Sequence, residues 1–285
     1  TFSVSASAEA NEWHPLLIGS EPNSTMTFSS FCFEESNRWL VSMAKGLCSS
    51  QTNLQAGIMY VYGKPGIGKT HLLSAIANES KGRSVMIHTA DLEAEIARAK
   101  RLNATAECFQ WIFSHEIVLL DGIEHTASNE TFEADLIHIL DKILRSKKQA
   151  VITSCCPIHK IEISNTRLSS LLSGGLVMEL KICDKAERLK ILQQMQDIEG
   201  LPDDVMHYLS CNVNDSIRRL KAAAMQIAAC SAHAGNPADL EMARAVVPLP
   251  EDLCHPYVYA SDNTAVEKPL NILTVSDRAS FFREM

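Results

Sequence analysis

Nothing in this 285-residue chain approaches the roughly 18 consecutive apolar residues that predict a membrane-spanning helix. A secretory signal is missing too, because Thr1-Phe2-Ser3-Val4-Ser5-Ala6 offers no basic stretch leading into an apolar one. Low-complexity tracts and internal repeats are absent. Positive charge is in deficit, with 26 Lys and Arg against 34 Asp and Glu and a net charge of −8. That balance argues against a protein-wide footprint for DNA or RNA. The local basic group Lys142, Arg145, Lys147 and Lys148 reads instead as the cationic C-terminus of a helix. Nine cysteines in a chain with no export signal point to reduced thiols rather than a disulfide framework, and to a cytoplasmic protein. Only Cys155-Cys156 with His159 cluster locally, and without a second ligand pair at finger-like spacing they do not read as a zinc site.

What is present is more telling. Residues Gly63-Lys64-Pro65-Gly66-Ile67-Gly68-Lys69-Thr70 form a complete G-x-x-x-x-G-K-T phosphate-binding loop. It follows an apolar run, Gly57-Ile58-Met59-Tyr60-Val61-Tyr62, and opens a helical pattern from Thr70-His71-Leu72-Leu73. The glycines allow successive main-chain N–H groups to turn onto phosphate oxygens, and the helix N-terminus adds positive potential. Lys69 is expected to reach the β/γ-phosphates, and the Thr70 hydroxyl to take one Mg²⁺ position. The expected ligand is therefore ATP or ADP with Mg²⁺.

Around the loop, short apolar strands alternate with helices. Strands are expected near 84–88, 117–121, 150–154 and 176–180, with helices from Trp39 to Leu47, Asp91 to Arg101 and Thr131 to Arg145. Ser36 and Asp91 are the expected N-caps of the first two helices. This alternation predicts an α/β fold, a parallel sheet flanked by helices, with ligands at the carboxyl ends of its strands. From Asp184 the pattern becomes purely helical: Asp184 to Gln196, Asp203 to Cys211, Asp215 to Ala234 and Ala238 to Val246. The expected division is a tail at 1–23, a nucleotide-binding core at 24–182, a small all-helical lid at 183–248 and a tail at 249–285. In that last tail residues 270–275 read as a strand and 277–284 as a helical turn; it is also readable as the start of a further domain.

A phosphate loop on a parallel sheet, with an all-helical unit behind it, resembles the AAA+ ATPases. Within them the chain resembles the family of the bacterial replication initiator DnaA and its shorter paralogues such as Hda. Four stretches carry the resemblance: Thr27-Phe28 with Ser36-Asn37-Arg38-Trp39; Tyr62-Gly63 through Lys69-Thr70-His71-Leu72-Leu73; Gln149-Ala150-Val151-Ile152-Thr153-Ser154; and Ser216-Ile217-Arg218-Arg219-Leu220. The resemblance implies nucleotide contacts from Gly63, Gly66, Ile67, Gly68, Lys69, Thr70 and His71. It implies that Asp121, ending an apolar strand, holds Mg²⁺ together with Thr70; a strand-end Asp capping the next turn is the plainer role. It implies that Arg218 reaches the γ-phosphate as the lid arginine, where the alternative is an ordinary surface arginine. Ser36 and Asn37 fall where family members border the adenine, although a helix cap explains Ser36 equally well.

The departures from the family pattern matter as much. The acid expected next to Asp121, which orients the attacking water, is Gly122. Glu124 stands two residues further as a surrogate base, but a strand end would normally point it elsewhere. The sensor I Asp is Cys155, and the arginine finger is Leu171, with Arg167 kept nearby. Loss of a finger alone slows phosphoryl transfer by roughly 10³–10⁵. The resemblance with these losses implies a nucleotide-binding protein of replication initiation or its regulation, with weak or absent hydrolysis. Its implied partners are the initiator, the replicative helicase or the sliding clamp, with no membrane; the acidic balance and the lack of a helix-turn-helix pattern after Pro250 argue against direct DNA binding. An active ATPase and a helicase loader of the DnaC type are the alternatives.

Overall fold

Apolar side chains alternate between the two faces of the inner strands, and both faces are covered there, so the sheet forms a buried centre; the edge strand at 176–179 leaves Val177 and Glu179 exposed. The computed structural model describes residues 21–31, 37–49, 57–125, 129–195, 198 and 200–248. Its strands are β1 (Ile58–Tyr62), β2 (Ser84–His88), β3 (Ile117–Asp121), β4 (Gln149–Ser154) and β5 (Leu176–Glu179). They form one sheet in the order β2-β3-β4-β1-β5, parallel throughout. The register sets Tyr62 opposite Ser154 and His88 opposite Asp121. The carboxyl ends of β1, β3 and β4 therefore sit side by side, and the phosphate loop leaves from the first of them.

On one face lie α1 (Arg38–Cys48) and α2 (Lys69–Glu79), which press Leu40, Ala44, Leu72, Leu73 and Ile76 onto Met59, Val61, Leu119 and Val151. The other face is covered by α3 (Thr89–Arg101), α4 (Thr105–Ser114), α5 (Glu130–Arg145) and α6 (Thr166–Ser173). There Ile96, Ile112, Leu136, Ile139 and Leu172 meet Tyr60, Ile87, Val118, Leu120 and Ile152. Each such fully buried aliphatic side chain contributes about 1.5–3 kcal/mol over an exposed one.

The helices α7 (Lys185–Gln193), α8 (Asp203–Asn212), α9 (Ile217–Ala234) and α10 (Leu240–Val246) pack around a core of their own, with Leu192, Val205, Leu209, Leu220 and Ile227 at its centre. A capping box starts α7, where Asp184 accepts from the Glu187 N–H and Glu187 accepts from the Asp184 N–H, each at 2.8 Å. Gly235, at φ 66°, ends α9 in the left-handed conformation. The seven described cysteines are all free thiols; burial pushes Cys48 up to about 11 and Cys108 up to about 12.

Local details differ from expectation. Helix α3 begins at Thr89 rather than at Asp91, because His88 Nδ1 accepts from the Ala90 N–H at 3.3 Å and serves as the cap. Asp91 sits in the first turn instead, where its charge suits the helix dipole. Helices α4 and α6 were not expected at all. Helix α1 is preceded by Asn37, whose side chain makes no cap bond. Ser36, the proposed strand at 270–275 and the turn at 277–284 lie outside the described residues.

Candidate nucleotide-binding site

The loop between β1 and α2 needs its glycines for different reasons. Gly66 and Gly68 have φ of 76° and 114°, a region that disfavours side chains. Gly63 is required by space, since a Cβ there would come within 2.6 Å of the Leu180 carbonyl oxygen. Ile67 is fully buried in the core below and anchors the loop tip. Lys69 is buried as well: its ammonium donates to the carbonyls of Gly63 at 2.7 Å and Lys64 at 3.1 Å, and to Cys155 Sγ at 3.4 Å. The cation is thus held inside the curve of its own loop, where an anion would meet it.

At the end of β3, Asp121 is fixed from three directions. Thr70 Oγ1 donates to Oδ2 at 2.7 Å, Thr153 Oγ1 donates to Oδ1, and Thr89 Oγ1 donates to the Asp121 carbonyl at 2.8 Å. The paired hydroxyl and carboxylate oxygens are the hard donors that Mg²⁺ accepts, so the residues fit that ion. Thr153 was not singled out from the sequence. The signal was present in its place one residue beyond Ile152 on β4, since Ile152 pairs with Leu120 just before Asp121.

Glu124 corrects the expectation that it would point away. Gly122 adopts φ 80°, and a 3-10 turn over Ile123–His125 folds the chain back toward the end of β4. Burial alone would raise its carboxyl. The Cys155 thiol, the N–H groups of Glu124 and Cys155, and the Ser154 hydroxyl outweigh that and hold it below the usual carboxylate range. Cys155 shifts the opposite way: burial and the bond to Glu124 raise its thiol against the pull of Lys69. A protonated thiol therefore links an ionised carboxylate to the loop ammonium.

Other expected residues do different work in the structure. The Asn37 amide is clamped to the main chain of Lys181, donating to its carbonyl at 3.0 Å and accepting from its N–H at 2.8 Å. His71 turns to the segment before α1: its Nε2 lies 3.1 Å from the Thr27 carbonyl and 3.2 Å from Ser30 Oγ, and its ring meets Phe31 edge-on. Arg218 stands in the first turn of α9 and its main-chain N–H donates to the Gly66 carbonyl at 3.1 Å, so this arginine is rooted directly at the loop. Arg167 pairs with Asp141 at 2.6 Å, and Leu171 packs inward on the core.

The chain is similar to known proteins in sequence and in fold. A family model described as the bacterial DnaA ATPase domain matches residues 22–179. Domain III of the replication initiation protein DnaA from Thermotoga maritima is 25% identical, with a TM-score of 0.72 over 83% of this chain and 100% of that one. AMPPCP-bound DnaA from Aquifex aeolicus is 25% identical, with a TM-score of 0.64 over 71% of this chain and 65% of that one. The Holliday junction branch migration motor RuvB of Thermotoga maritima, at 14% identity and a TM-score of 0.56, covers 78% of this chain and 70% of its own and shares the fold.

Proposed function

Because the chain belongs to the bacterial DnaA ATPase domain family, with its P-loop AAA+ fold, we propose that it binds ATP or ADP and acts in replication initiation or its regulation. The observation that carries this reading is the buried Lys69 ammonium inside the loop, beside the Thr70–Asp121 pair at 2.7 Å. Loop N–H groups and Lys69 would bind the phosphates, Thr70 and Asp121 would hold Mg²⁺, and Arg218 would approach the γ-phosphate from α9. A bound Mg²⁺–nucleotide would supply the anhydride and the cation that offsets charge on its oxygens. Partners would be protein components of replication: an initiator, a helicase or a clamp.

Hydrolysis is proposed to be slow. Gly122 brings no carboxylate, Cys155 stands where the family has an acid, and Leu171 is packed inward instead of reaching a neighbour. Calorimetry with ADP, ATP and Mg²⁺ tests the binding claim. No heat of association, with Lys69→Ala behaving as the parent protein, would sink it. Steady-state phosphate release tests the second claim, and turnover at about 1 s⁻¹ or faster, abolished by Asp121→Asn, would overturn it.

One observation favours a second reading, an active ATPase. Glu124 is ionised and lies against Cys155, which touches Lys69. In that reading its carboxylate takes the water-orienting role that Gly122 cannot fill.

A further inference from the structure

The start of α9 hydrogen-bonds to one carbonyl of the phosphate loop, and that contact has a direction. The Gly66 carbonyl oxygen accepts from the Arg218 main-chain N–H at 3.1 Å and from the Ser216 hydroxyl at 3.4 Å. Both donors belong to the start of α9, where Ser216 is the N-cap and also accepts from the Arg219 N–H at 3.3 Å. The fit is close: a Cβ on Gly66 would lie 2.4 Å from Ser216 Oγ and 3.1 Å from Arg218 Cβ.

We infer that Ser216 and the first turn of α9 position the phosphate cradle, by fixing the Gly66–Ile67 peptide so that its N–H faces the nucleotide. This rests on the nucleotide-binding reading and deepens it. Cis peptides are absent among the described residues, and in a trans peptide the C=O and N–H point in opposite directions. Holding the Gly66 carbonyl on α9 therefore turns the Ile67 N–H away from α9, toward the inside of the loop. At φ 76° Gly66 has no side chain to lock that peptide, and the buried Ile67 side chain anchors only its far end. Without the two α9 donors the peptide is free to flip and present its oxygen to a phosphate, which repels it. Ser216 acts through Gly66 and Ile67, so it is a positioning residue.

Coupling of this kind is reciprocal. Phosphate bound on the Ile67 N–H strengthens the hold of the Gly66 carbonyl on α9. A partner that draws α9 away loosens the nucleotide.

The test measures Mg²⁺–ADP affinity by calorimetry in four proteins: the parent, Ser216→Ala, Ser216→Thr and Asp184→Ala. Ser216→Ala is expected to bind ADP about threefold to tenfold more weakly, the range for one neutral hydrogen bond. Ser216→Thr keeps the hydroxyl and should stay within about twofold of the parent. Asp184→Ala removes a helix cap of similar strength from α7, one that bonds to Glu187 and not to the Gly66 carbonyl, and should lower thermal stability while leaving ADP affinity unchanged. Amide exchange supplies a readout without nucleotide: the Arg218 N–H should exchange faster in Ser216→Ala than in the parent. Equal ADP affinity in Ser216→Ala and the parent would overturn the inference. An equal loss in Asp184→Ala would also overturn it, because it would reduce the effect to loosened helices. A parent protein that binds no ADP would refute the underlying nucleotide reading instead, and the inference with it.

Discussion

Thr70 Oγ1 donates a hydrogen bond of 2.7 Å to Asp121 Oδ2, joining the first turn of α2 to the end of β3. With Mg²⁺ bound as proposed, these two neighbouring oxygens would be its protein ligands. Asp121→Asn keeps the shape and removes the charge. It should weaken ATP binding about tenfold in Mg²⁺ and leave binding in EDTA nearly unchanged. Equal losses with and without Mg²⁺ would show that Asp121 is only a turn cap.

Lys69 is the buried cation of the loop, and its ammonium makes charge-assisted bonds. Bonds of that type are worth about 1.5–3 kcal/mol, so Lys69→Ala should lower nucleotide affinity by roughly 10–150-fold. Fluorescent ADP titration reads this directly, and a change of less than threefold would contradict the role.

Glu124 and Gly122 separate the two catalytic readings. If hydrolysis is slow for want of an acid beside Asp121, Gly122→Asp should raise phosphate release by at least about tenfold. Gly122 sits at φ 80°, where Asp is strained but tolerated better than most residues. If Glu124 already orients water, Glu124→Gln should instead abolish whatever turnover the parent shows. Phosphate release measured on both variants decides between them.

His71 makes the lead-in segment sensitive to acid. Burial lowers its titration below the ordinary 6.5, the Thr27 carbonyl opposes that shift and Lys221 adds to it. As pH falls, the unfolded chain therefore takes up the proton before the folded one does. The stability tied to His71 is complete above about pH 6.5 and declines as pH drops toward the folded-state value. Urea midpoints measured at about pH 7.5 and 5.5 should fall further in the parent than in His71→Gln. An identical drop in both would refute the assignment.

Arg188 is buried in α7, where its guanidinium donates to the carbonyls of Ser210 at 2.8 Å and of Cys183. Substitution by Ala would leave both carbonyls without that donor. A loss of about 2–4 kcal/mol in unfolding free energy is expected, measured by urea denaturation. A loss below about 0.5 kcal/mol would mean that water replaces the side chain.

The strands were legible because each is a short apolar run bounded by polar turns, and Lys69 and Thr70 because their loop has a fixed spacing. Helix α4 was not: it starts after Ala104, which offers no side-chain cap, and its aromatics Phe109, Trp111 and Phe113 fall at every second position, which masks the helical period. The eight residues of α6 bury only Leu168 and Leu172, too little pattern to read. In the site, Thr153 looked like one more strand residue, because its value depends on its neighbour across the ladder. The aim of Glu124 depends on the positive φ of Gly122, a backbone choice that residue spacing does not report.

Arg167 is the single cationic side chain between Thr166 and Leu172, and it is tied to Asp141 of its own chain at 2.6 Å. A half-exposed pair of this type holds by about 0–1 kcal/mol, so the tether is light. Salt screens such a contact, so raising the ionic strength frees the Arg167 guanidinium to turn into solvent.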